Sequence, residues 1–210
     1  MVTSKFLQGK TTFHADIKAR VNQYFTERKK ASTGNVWLLA KAIFFCASYI
    51  FLYINLVFFT PVLWLAIPEC LLMAVFTSAI GFNVMHDGNH GSFSKYKMVN
   101  KIAGFSLNFL VASAIMWPMK HNIIHHTYTN IEGVDDDIEA GTLLRFTEGK
   151  KKLKIHKFQH IYFWFLYSLL NIMWIFFTDF KQYFSGEIGS VSLRKMTTRE
   201  HISFWTAKIV

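Results

Sequence analysis

AIFFCASYIFLYINLVFFT, Ala42 to Thr60, is a run of 19 residues without a charge. As a helix it extends about 28 Å, close to the ~30 Å hydrocarbon thickness of a bilayer. Pro61 follows at once, and a residue with no backbone N–H suits a sharp turn. The next run, Val62 to Met85, holds one charge, Glu69, and one internal proline, Pro68. Two such runs with so short a connection predict a transmembrane helical hairpin, with spans near 36–60 and 62–85. The expected fold is an all-α integral membrane protein: this hairpin plus cytoplasmic or interfacial helices.

Composition agrees. Of the 210 residues, 52% are hydrophobic, 17% are charged, and 22 are Phe. Soluble domains carry about 25% charged residues. The net charge of +10 comes from Lys and Arg flanking apolar runs. Anionic lipid headgroups and the positive-inside rule account for it, and no nucleic-acid motif accompanies it. Cys46 and Cys70 both sit in apolar runs and read as packing residues. Residues 1–35 are polar, with seven Lys/Arg against Asp16 and Glu27. They read as a basic cytoplasmic arm rather than a signal peptide, which would place a short apolar core near the start.

Charge also orients the hairpin. The arm has seven Lys/Arg, the hairpin connection has none, and His86 to Lys157 has ten. Both flanks are therefore expected on the cytoplasmic side.

What emerges from the second run is chemically unusual. His86-Asp-Gly-Asn-His90 follows it directly, and His121-Asn-Ile-Ile-His125-His126 comes about 30 residues later. Residues four apart share a helix face, so His86 with His90, and His121 with His125, can each present two imidazoles to one ion. His126, next to His125, is expected to point elsewhere, toward a second ion or the other side of the same site. Neutral imidazole suits iron, copper or zinc, and five such ligands exceed one tetrahedral zinc site. A non-ligating histidine near an interface is ordinary, but two HxxxH pairs beside apolar helices point to a metal centre: His86, His90, His121, His125 and His126. His156 and His160 form a third such pair, with a basic interfacial patch as the alternative to a ligand or supporting role. Ligating histidines hand their other ring N–H to a carboxylate or carbonyl. Asp87, Asp135, Asp136 and Asp137 are candidates for that role; for the Asp135–Asp137 run, a solvated acidic loop is the alternative.

Ile102 to Met119 is a further uncharged run of 18 residues. If it crossed the membrane, the two histidine clusters would lie on opposite sides. A shared metal site therefore requires it to re-enter or to lie in the interface. The aromatic run Ile161 to Thr178 can span or lie interfacially, and the basic segment after it favours the second. A further span is expected to start near residue 202.

The motifs resemble the first two histidine boxes of integral-membrane fatty acid desaturases. The stretch Asn130 to Ile138 and His156-Lys-Phe-Gln-His160 is similar to the branch with linoleoyl-CoA, delta-6-like acyl desaturases. The resemblance covers most of residues 36–210, the expected membrane desaturase domain. It implies a di-iron centre at the cytoplasmic face, with O2 as co-substrate and electrons from a separate carrier, a ferredoxin or cytochrome b5. It implies an acyl-CoA or acyl-lipid substrate receiving a cis double bond. A hydroxylase on the same scaffold, a metal transporter, a haem carrier and a non-catalytic truncated membrane protein are the competing readings. Clusters at span ends rather than in broken midplane helices argue against transport. The family's third box, HxxHH or QxxHH, has no match after His126. The expectation is an N-terminal fragment, inactive alone. The His-Pro-Gly-Gly signature of a fused cytochrome b5 is also absent.

Overall fold

The computed structural model describes residues 12–209. The first eleven residues of the basic arm, and Val210, lie outside the described residues. The described chain divides between Ala103 and Gly104 into two compact units.

In the first unit, α1 (Phe13–Glu27) buries no side chain. Helix α2 (Val36–Ile54) is started by Asn35, whose Oδ1 accepts the backbone N–H groups of Trp37 and Leu38 at 3.0 and 3.2 Å. Such a cap satisfies donors that no earlier helical turn can reach. A π turn, Asn55–Phe59, extends α2, and Thr60 at φ 44° ends it. Helix α3 (Leu63–Ile80) returns, widens into a second π turn at Gly81–Met85, and runs on into α4 (His86–Asn89).

Val36–Phe59 and Leu63–Asn89 are each long and apolar enough to cross a membrane. Their side chains face outward on nearly all sides: Phe58, Leu63 and Trp64 are each more than 70% exposed. A helix apolar all round needs a lipid surrounding. Asn55 Nδ2 donates to both Glu69 oxygens at 2.9 and 2.8 Å, and Lys41 Nζ donates to Asn83 Oδ1 at 2.7 Å. These two pairs join polar groups across the opposite helices, where a low-dielectric medium makes an unpartnered one costly.

Helix α5 (Lys97–Phe109) carries the division between the units. Its 13 residues span about 20 Å, short of a bilayer core. The uncharged run from Ile102 therefore does not continue as one helix. Val111 turns to φ 63°, a left-handed value that a β-branched residue rarely adopts. The helix resumes only at α6 (Met116–Pro118), whose start is fixed by Ser113 Oγ accepting the N–H groups of Ile115 and Met116.

In the second unit, a π turn Met119–His125 joins α6 to α7 (His126–Tyr128). The aromatic run forms α8 (Gln159–Ser168), α9 (Leu170–Met173), a π turn at Trp174–Thr178 and α10 (Asp179–Ser185). The path bends by 56° between Ser168 and Leu170, so it is a broken span or a re-entrant segment. A two-residue hairpin pairs β1 (Glu187–Ile188) with β2 (Val191–Ser192). Helix α11 (Thr198–Ile209) carries the apolar stretch from residue 202; it turns Phe204 and Ala207 inward and leaves Ile202 and Ile209 outside. Phe204, Met116, Ile124 and Ile188 form the core of this unit, with Tyr183 stacked on Phe204 at 4.2 Å between ring centroids.

Candidate metal centre

The first histidine cluster lies where the second span leaves its apolar run. The π turn at Gly81–Met85 closes with the N–H of His86 on the carbonyl of Gly81. His86 and His90 then lie one α-turn apart, with ring centroids 4.4 Å from each other. Asp87 Oδ1 stands 3.4 Å from His86 Nδ1. The chain after His90 is held by Asn100, a buried residue one element away. Its Oδ1 accepts from Ser94 N at 2.7 Å, and its Nδ2 donates to the carbonyls of Gly91 and Ser94 at 3.0 and 2.8 Å. The loop also meets the foot of the first span: Gly34 N–H donates to Ser92 O at 2.8 Å.

The second cluster sits on the π turn Met119–His125. In an α-helix, residue i+5 lies about 140° round from residue i. In a π turn the hydrogen bond itself runs from i+5 to i and brings that residue back over it. His126 N–H accordingly bonds the carbonyl of His121. The rings of His121 and His126 are 4.8 Å apart, those of His121 and His125 5.1 Å, and those of His125 and His126 5.4 Å. The wider turn gathers all three imidazoles, with the His126 ring edge-on to the other two at 85° and 70°. Trp117, one turn before His121, stacks on its ring at 4.3 Å.

The acidic run packs against this cluster and is not a solvated loop. Asp135 is fully buried. Both its oxygens are 3.1 Å from His125 Nδ1, and it also accepts the backbone N–H groups of Asn130 and Asp137. Asp137 Oδ2 lies 3.4 Å from His125 Nδ1 and 3.6 Å from His121 Nδ1. Asp136 turns the other way: its Oδ2 meets Lys120 Nζ at 3.2 Å and Gln182 Nε2 at 3.0 Å. Lys120 completes the arrangement through Asp137 Oδ1 at 3.1 Å. Burial disfavours the charge on Asp137, but the His121 ring and the Lys120 ammonium outweigh it and hold the carboxyl down at about 2. Burial likewise opposes the charge on Lys120, and Asp136 and Asp137 more than offset it, raising its pKa.

A carboxylate at Nδ1 accepts that nitrogen's proton and so presents Nε2 as the ligating lone pair. His121, His125 and Asp137 offer ligand atoms within 4.8 Å of one another. Imidazoles backed by carboxylates suit iron, zinc or copper, so the residues present fit a metal.

His156 does not belong to this arrangement. It is buried, its Nδ1 accepts from Leu153 N at 3.1 Å, and its Nε2 donates to Thr142 O at 2.9 Å. With both nitrogens engaged by backbone it ties a loop to α8 and has no lone pair for an ion. His160 is exposed on α8. Among the described residues no metal-capable group includes either one.

The family model for fatty acid desaturases matches residues 62–207, which contain all of these histidines. The chain belongs to the fatty acid desaturase family. Among curated desaturases, an sn-1 linoleoyl-lipid 6-desaturase of Arthrospira platensis is 34% identical over 82% of this chain and 47% of its own length. An acyl-lipid (8-3)-desaturase of Physcomitrium patens is 32% identical over 94% of this chain and 42% of its own. A probable Delta(5) fatty acid desaturase C of Dictyostelium discoideum is 33% identical over 96% and 44%. The chain thus spans less than half the length of these desaturases. No solved structure matches. Lys120, Asn100, Asp179 and Gln182 are the polar residues around the boxes that the sequence did not single out. For Asp179 and Gln182 the partners, Ser113 and Asp136, are too distant in sequence for spacing to reveal.

Proposed function

We propose that this membrane protein acts as an acyl-lipid desaturase, introducing a cis double bond into a fatty acyl chain. His86, His90, His121, His125 and His126 are its ligands for two irons. The observation that carries the reading is the pairing of His125 with the buried Asp135 and of His121 with Asp137, in a chain that also has a helical hairpin built for lipid. When bound, the irons supply, with O2 and two electrons, an oxidant strong enough for unactivated C–H bonds.

The chain's own residues prepare that chemistry. Asp87, Asp135 and Asp137 fix the tautomers of His86, His125 and His121. Trp117 limits rotation of the His121 ring, and Lys120 balances the two carboxylates beside it. The hairpin keeps His86 and His90 at the lipid surface, where an apolar acyl tail is available. Linoleoyl-lipid and other acyl-lipid substrates are named for the relatives, and an acyl-lipid is the substrate class proposed here. Electrons come from a separate carrier such as a ferredoxin or cytochrome b5. The histidines and the N-terminal arm face the cytoplasm.

The test is fatty-acid analysis by mass spectrometry of cells expressing the full-length protein. An acyl chain lacking two hydrogens is expected, and it should disappear in a His125→Ala variant. A gain of one oxygen instead would replace desaturation by hydroxylation; an unchanged profile counts against both. Accessibility of single cysteines placed beside His86 and beside His121, with Cys46 and Cys70 replaced, tests the topology. Labelling from opposite sides would overturn the common cytoplasmic placement.

A further inference from the structure

Helix α10 buries two polar side chains, Asp179 and Gln182, on one face a turn apart. Each reaches a segment flanking the second histidine box. Asp179 Oδ2 accepts Ser113 N at 3.2 Å, and Ser113 caps the helix that leads to His121. Gln182 Nε2 donates to Asp136 Oδ2 at 3.0 Å, between the two carboxylates that face His125 and His121.

The direction of the Gln182 bond is fixed by chemistry. An ionised carboxylate only accepts, so the amide must turn its NH2 to Asp136. Its carbonyl Oε1 is then buried with no hydrogen-bond partner among the described residues. Such a group costs about 1–3 kcal/mol. A side chain that only filled space would do better as an apolar one. We infer that Gln182 is a positioning residue for the metal centre: it anchors Asp136, and through the rigid Asp135-Asp136-Asp137 run it sets the carboxylates that orient His125 and His121.

The inference rests on the metal-centre reading, and its test separates the two. Co(II), whose visible absorption reports imidazole coordination, is titrated into the full-length protein in detergent. Melting is followed by circular dichroism. Gln182→Leu keeps the volume and removes the donor. It is expected to bind Co(II) about tenfold more weakly, the lower end for residues behind metal-ligating histidines, with an altered spectrum and a melting temperature at or above that of the wild type. Gln182→Glu sets a carboxylate against Asp136 and is expected to bind more weakly still. Adding Asp136→Asn to Gln182→Glu restores a donor–acceptor pair with its direction reversed, and is expected to recover most of the affinity. Equal Co(II) binding by wild type and Gln182→Leu would overturn the positioning role alone, as would a double variant no better than Gln182→Glu. No Co(II) spectrum from the wild type would overturn the metal-centre reading and this inference with it. If Gln182→Leu does not fold, the comparison of Gln182→Glu with the double variant decides.

Discussion

Asp135 meets His125 with both carboxylate oxygens at 3.1 Å from Nδ1, and it does so with no exposure to solvent. A buried carboxylate with one imidazole and two backbone N–H partners is a fixed orienting group. Asp135→Asn keeps the shape and removes the charge. It is expected to weaken metal binding by about 10–100-fold, read by metal titration and iron content, while the helical content stays unchanged.

Lys208 and Asp179 form the buried ion pair of the second unit, at 2.7 Å. The ammonium is also accepted by the carbonyls of Val111 and Ile175, at 2.9 Å each. Lys208→Met removes one charge and strands the other. The expected loss is about 3–5 kcal/mol, seen as a lowered thermal midpoint in detergent. Adding Asp179→Leu is expected to recover part of it, but not all, because Ser113 N–H then loses its acceptor.

Gly34 lies at the foot of the first span, against the loop that follows His90. A Cβ there would collide with Phe93 O, a backbone atom that cannot step aside alone. Gly34→Ala is expected to destabilise the protein by about 1–3 kcal/mol, the usual range for overpacking. Limited proteolysis of the Gly91–Ser94 loop would locate the damage.

At the start of α11, Thr197 and Glu200 cap each other. Glu200 Oε2 accepts Thr197 N at 2.8 Å, and Thr197 Oγ1 accepts Glu200 N at 3.4 Å. The Arg194 guanidinium, with the Thr197 N–H behind it, holds the Glu200 carboxyl down at about 2 from 4.5. A depressed carboxylate pKa means the contribution is complete above about 4.5 and is lost as pH falls through about 2. Amide protection factors, taken against the intrinsic rate at each pH, should therefore fall in the first turn of α11 over that window, and Glu200→Gln should flatten the response.

The hairpin and the two histidine pairs were legible because both are local: charge-free length and four-residue spacing are visible in the chain itself. What breaks the run from Ile102 is not local. The turn at Val111 is held by Lys208, 97 residues on, and Ser113 by Asp179, 66 residues on. Gln182 reaches Asp136 across 46 positions. His156 misled for the opposite reason: its spacing to His160 suits a ligand pair, while its nitrogens serve the backbone of Thr142 and Leu153. The acidic run could be read either way, because burial rather than composition decides it.

The π turn under the second histidine box has an evolutionary consequence. It amounts to one residue accommodated in a helix without the helix being lengthened to match. Deleting a single residue between Met119 and Ile124 would restore ordinary α-helical hydrogen bonding, and by local propensity alone would be favourable. With Asn122 or Ile123 removed, His126 would take the i+4 place relative to His121 and His125 would move to i+3, so the three rings could not keep their present arrangement. Length changes that most helices absorb at their ends are therefore barred here, and the box tolerates substitution far better than insertion or deletion.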